Sequence, residues 1–189
     1  MSGVQNTLID PNQCFQTPSF RALVPNTRDE DWYVRGYKWF TRKVEYQITE
    51  DYFFYVPFLD VTLLLPEGFI FDGASIPKFL WPIIAPVDVL LITAAFHDFA
   101  YKYRTYLTSD GALYLADKDK KVYDTIFKDI SLYTNGLKFT SSMAYYAVRV
   151  FGHFPWKQYR KEDKHIKDDF PNVLVDPNIQ VVSRGYTYE

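Results

Sequence analysis

The stretch "ITAAFHDFAYKYR", residues 92–104, decides how this chain is read. At 100° per residue, Leu90, Ala94, His97 and Tyr101 fall on one stripe of a helix, with Asp98 on its flank. Ala95, Phe96 and Phe99 cover the opposite side. A helix that is apolar nearly all round belongs at the centre of a fold. Burying His97 and Asp98 there costs several kcal/mol unless each finds a partner. One reading is structural: His97 bonds a backbone carbonyl and Asp98 pairs with Lys102 one turn on. The other is a functional site.

Upstream of this helix the pattern changes period. "WYVRGYKWFTRKVEYQIT", starting at Trp32, alternates aromatic or β-branched residues with charged ones, and "YFFYVP" and "DVTLLLPEGFIF" continue it. Residues 32–71 therefore predict about four antiparallel strands. Downstream the periodicity is helical: one helix from roughly 87 to 104, a loop around "TSDGALYL", a helix from about 117 to 134, and a last one over "TSSMAYYAVRVFG". Residues 1–31 are polar and punctuated by proline, which predicts an arm. Residues 153–189 carry three prolines and six residues of each charge sign, which predicts an extended tail. The fold class is α+β: an N-terminal antiparallel sheet of about four strands followed by three or four helices. It forms a single domain over residues 32–152, with extended N- and C-terminal arms.

Composition narrows the classes. A chain of 189 residues, 48% hydrophobic, supports one ordinary core. A formal net charge of −2 offers no basic field to attract nucleic acid. The single cysteine, Cys14, excludes an intrachain disulfide and fits a reducing compartment or an assembled particle. The N-terminus lacks the basic start and apolar core of a signal peptide. The longest apolar run, residues 79–96, is broken by Pro82, Pro86 and Asp88, so it reads as core and no transmembrane segment is expected. Aromatic residues reach 19%, which means either a ring-packed core or a surface made for partners.

The second long helix, "DKDKKVYDTIFKDISLY", supplies the possible partner for His97. Its apolar face is Val122, Tyr123, Ile126, Phe127, Ile130 and Tyr133. Asp124 sits at the edge of that face, on the side of Lys120 and Lys128. Taken alone, that placement describes a solvated carboxylate. Antiparallel packing with this edge turned inward brings it to His97 instead. A carboxylate on one imidazole nitrogen fixes the tautomer and leaves the other nitrogen as a base. Asp98 can then bind a divalent cation such as calcium. In "DGASIP", Asp72 closes a turn and Ser75 caps a helix. As chemistry, Ser75 is a nucleophile for His97, without the Gly-x-Ser-x-Gly elbow, and Asp72 is a second oxygen ligand beside Asp98. His97 is the first histidine of the chain, so the upstream metal-binding histidine of HD phosphohydrolases is missing. His153 and His165 have no zinc-ligand spacing.

The ordered segments "PEGFIFDGASIP", "AAFHDFAY", "KKVYDTIF" and "YYAVRVFG" resemble a domain-of-unknown-function family found mainly in bacteriophage and prophage genomes. The resemblance covers about residues 55–152. It implies a phage protein and leaves the activity open. More locally, "HDFAY" is similar to the His-Asp-x-x-Tyr helix of phospholipase A2, and "YDTIF" resembles the Asp-bearing helix of its bacterial and viral forms. That likeness implies His97 as base, Asp124 as its orienter, Asp98 as a calcium ligand and Tyr101 as a supporting hydrogen bonder. The glycine-rich calcium loop and the disulfides of the secreted enzymes are absent. Two expectations result. One is a virion-associated tail or head–tail component, in the virion or host cytoplasm, meeting other phage proteins through both arms. The other is a small metal-assisted hydrolase centred on His97, Asp98 and Asp124.

Overall fold

The computed structural model describes residues 17–23, 31, 45–72 and 87–181. Cys14, the strands expected over 32–44 and the "GASIP" segment with Ser75 lie outside the described residues. Strands β1 (Phe20–Leu23), β2 (Glu45–Ile48) and β5 (Ile70–Phe71) form an antiparallel sheet in the order β1-β2-β5. A second sheet runs β3 (Tyr52–Val56), β4 (Val61–Leu65), β6 (Tyr106–Thr108), β7 (Ala112–Tyr114), β8 (Asp176–Val181). Its pairs are antiparallel except β7 with β8, which is parallel. The helices are α1 (Val87–Tyr103), α2 (Lys120–Asn135), α3 (Lys138–Phe151), α4 (His153–Glu162) and the single turn α5 (Ile166–Asp169). The α+β class holds.

The period-2 reading is visible in β3, where Phe54 and Val56 are buried while Phe53 and Tyr55 face out. The next strand, β4, is paired on both sides and buried along almost its whole length, as central strands are. Over these strands lies α1. Phe96 packs on Phe54 with ring centroids 5.8 Å apart, and Phe99 meets Phe69 edge-on at 5.2 Å. Another side of α1 is taken by α2, whose buried face includes Tyr123, Ile126 and Ile130. Gly136 ends α2 in the left-handed conformation at φ 67°, and its N–H closes on the Leu132 carbonyl.

Three expectations differ from this arrangement. "TSDGALYL" is a hairpin, β6–β7, rather than a loop; Gly111 (φ +83°) makes its turn, and three-residue strands are too short to show alternation in sequence. The N-terminal arm contributes β1, paired to β2 from Phe20↔Ile48 to Leu23↔Glu45. Over 153–181 the C-terminal tail is folded, not extended. Its prolines break nothing. Pro155 stands in the first turn of α4, where no intrahelical N–H is needed, Pro171 follows α5, and Pro177 lies in the edge strand β8.

Candidate functional site

Helix α1 is buried along most of its length, so His97 lies in the core with only 5% of its surface exposed. Its Nε2 lies 2.9 Å from Asp124 Oδ1, on α2. Asp124 is fully buried and gathers four donors. Tyr101, one turn after His97, donates its hydroxyl to the same Oδ1 at 2.5 Å. Lys120 Nζ and Arg149 Nη1 each reach Oδ2 at 2.8 Å. The edge position of Asp124 on α2 is therefore filled from both sides: α1 supplies His97 and Tyr101, and α3 supplies Arg149 near its C-terminus. Lys120 also donates to the Val148 and Arg149 carbonyls, at 3.0 and 3.2 Å, which ties the end of α3 to the site.

The electrostatics follow from that crowd. Burial alone raises the Asp124 carboxyl, but the hydrogen bond and charge of His97, with Lys120 and Tyr101, outweigh it and hold the group down at about 2. Burial lowers Lys120 despite its carboxylate partner. The Asp124 hydrogen bond raises Arg149. Burial, then the Asp124 charge, pushes the Tyr101 phenol far up, so it stays a neutral donor. With an ionised carboxylate on Nε2, the neutral form of the imidazole carries its proton there. Nδ1 holds the lone pair and makes no hydrogen bond among the described residues.

Beside the imidazole is a small cleft, about 30 Å³, room for one or two waters. Its walls are Leu90, Ala94 and Phe127, with Ala147, Val148, Gly152 and Pro155 from the α3–α4 corner; its polar wall is His97, Asp98 and Tyr101. Phe127 rests against the imidazole at a tilt, ring centroids 5.0 Å apart, so two residues one turn apart on α2 contact His97. Gly152 is small for a reason. A Cβ there would lie 2.8 Å from the Tyr101 hydroxyl oxygen, inside contact distance. Trp156 of α4 then closes over Tyr101 edge-on at 5.1 Å.

The structure thus brings His97, Tyr101 and Asp124 into one network and sets Asp98 on the adjacent wall. Asp98 does not pair with Lys102, which bonds Asp169 at 2.7 Å. Asp98 Oδ2 instead accepts the Asp72 backbone N–H at 3.3 Å. Burial and then the charges of Asp98 and Asp72 raise the Tyr159 phenol, so all three groups share one neighbourhood. Calcium takes six to eight oxygen ligands. Among the described residues no three His, Cys, Asp or Glu side chains converge as a metal site. Ser75, the possible nucleophile, lies outside the described residues. Sequence reasoning missed Arg149 and Trp156. Arg149 stands inside "AVRVFG", where a lone basic residue in an apolar helix was the available signal.

These features define a small α+β protein with a helix-borne histidine whose carboxylate partner comes from the next helix. The chain belongs to the DUF1353 family, described as protein of unknown function, whose model matches residues 46–148. No curated protein and no solved structure matches it. No helix among the described residues is long and apolar enough to cross a membrane.

Proposed function

We propose that the protein is a small ester hydrolase in which His97 is the general base. One observation carries this: Asp124 occupies Nε2 at 2.9 Å, so Nδ1, which makes no hydrogen bond among the described residues, carries the lone pair of a ring that walls a water-sized cleft. A water in that cleft gives its proton to Nδ1 as its oxygen attacks the ester carbonyl. The imidazolium then returns the proton to the departing alkoxide, releasing acid and alcohol. Asp124 keeps the tautomer and steadies the imidazolium, while Tyr101 keeps Asp124 in register. No step is routed through a metal. The test is turnover of carboxylic esters of graded acyl length by the wild type and by His97→Asn. We expect hydrolysis that falls by at least about 10²-fold in the variant. A wild type inert on the whole series, or a variant of equal activity, overturns the proposal.

A second reading is a component of a phage particle, which the resemblance of the four quoted segments implies. The edge strand β1 favours it, because its four residues are largely exposed and its outer side pairs with no strand among the described residues. Mass spectrometry of purified particles tests this. Absence of the chain from them removes the reading.

A further inference from the structure

Between Asp129 and Glu162 the chain holds no Asp or Glu, although the whole molecule carries a net charge of −2. The interval covers α3 and nearly all of α4, and it includes Lys138, Arg149, Lys157, Arg160 and Lys161. Two of these cations are engaged, Arg149 with Asp124 and Arg160 with the Tyr101 carbonyl. Lys138, Lys157 and Lys161 are exposed and form no ion pair among the described residues. The same interval displays large apolar side chains: Phe139 is 69% exposed, Tyr146 64%, Val150 64% and Phe154 76%. At 100° per residue Phe139, Tyr146 and Val150 lie within about 40° of one another on α3, with Lys138 along one flank of the stripe.

We propose that this ridge of α3, continued by Phe154 and the lysines of α4, seats on an anionic lipid interface. An amphipathic helix with aromatic and aliphatic residues on one face and unpaired lysines beside it lies in a headgroup layer with its apolar face down. Uncompensated positive charge selects anionic headgroups, each lysine adding to the attraction. A second copy of the chain fits poorly, because pairing this face with itself sets lysines against lysines with no carboxylate between Asp129 and Glu162 to separate them. The stripe is a convex helix surface, which a fluid interface covers without a matching groove. The proposal is independent of the hydrolase reading.

The test is flotation of the full chain with vesicles of phosphatidylcholine alone and of three parts phosphatidylcholine to one part phosphatidylglycerol. We expect flotation with the mixed vesicles only, and its loss at high salt, where screening shortens the reach of exposed charges. Lys138→Gln, Lys157→Gln and Lys161→Gln should each weaken partition about fivefold. The combined variant Phe139→Ser, Tyr146→Ser, Val150→Ser should weaken it by at least about tenfold while keeping the wild-type denaturation midpoint, since these side chains are largely exposed. No flotation with mixed vesicles overturns the proposal. So does flotation that ignores the apolar variant, together with equal retention on polyglutamate, which would make the face a simple cation exchanger for acidic proteins. A dimer by light scattering that the apolar variant dissociates, without vesicle binding, assigns the face to a second copy and also overturns it. His97→Asn should float like wild type, so a failed hydrolase assay leaves this result untouched.

Discussion

Replacing Asp124 by Asn keeps the volume and removes the charge on which four donors converge. Asn has one accepting oxygen and one donating NH2. Lys120 and Arg149 can only donate, so the oxygen must stay on their side, where Oδ2 now lies 2.8 Å from each. The NH2 then faces His97 and Tyr101. Both can adapt: the phenol rotates to accept, and the imidazole moves its proton to Nδ1 so that Nε2 accepts. The variant should therefore fold with the opposite His97 tautomer. Its cost comes from Lys120, 13% exposed, and Arg149, 36% exposed, losing their counter-charge. Breaking a buried pair costs roughly 3–5 kcal/mol, and the exposure of Arg149 argues for the lower end, about 3 kcal/mol. For a chain of this size that lowers the melting temperature by about 10 °C. Denaturant titration measures the loss, and nitrogen NMR of the imidazole reads the tautomer. Any hydrolysis should drop by about 10³-fold or more, as expected when the basic nitrogen is the wrong one. A loss under about 1 kcal/mol, or a proton still on Nε2, would refute this account of the network.

Three further outcomes follow from the same geometry. Tyr101→Phe deletes one of the two donors to Asp124 Oδ1 and should cost about 1 kcal/mol in denaturant titration, with the His97 tautomer unchanged. Gly152→Ala places a methyl against the Tyr101 hydroxyl and should cost about 1–3 kcal/mol, read as a lower denaturation midpoint; a neutral result would mean the α3–α4 corner yields freely. The Asp124 carboxyl, held at about 2 in the folded chain against an ordinary 3.8, contributes stability that is complete above pH 4 and disappears as pH falls toward 2. The amount is about 2 kcal/mol, and wild-type and Asp124→Asn melting curves should converge over that window.

How far the sequence carried the fold is clearest at α1. Its apolar surround and the four-residue spacing of His97 and Tyr101 placed both residues in the core, where they are. Asp124 was harder. The helical wheel set it among lysines, and its neighbours on other helices decide its burial: α1 brings His97 and Tyr101 to it, α3 returns Arg149, and Lys120 bends back over the end of α3. Such a site is assembled by tertiary packing, which periodicity within one helix does not encode. The tail failed for a related reason. Its mixed charges look solvated locally, yet two of its carboxylates find defined partners across the fold: Asp169 with Lys102 and, at 2.6 Å, with Tyr103, and Asp163 with Arg104. Proline counts misled because position matters more than number: all three prolines sit where a backbone N–H is dispensable.

The contacts that fasten the last turn of α1 carry a consequence for synthesis. Arg160 caps the Tyr101 carbonyl from 59 residues downstream, and Asp169 reaches Tyr103 from 66 downstream. A ribosome adds roughly 5–20 residues per second, so the His97 helix leaves the exit tunnel several seconds before its fasteners exist. During that interval an apolar helix waits with its C-terminal end unsecured. The nascent chain is at its most aggregation-prone then, and chaperone dependence should be set by the delay between translating residue 103 and residue 169.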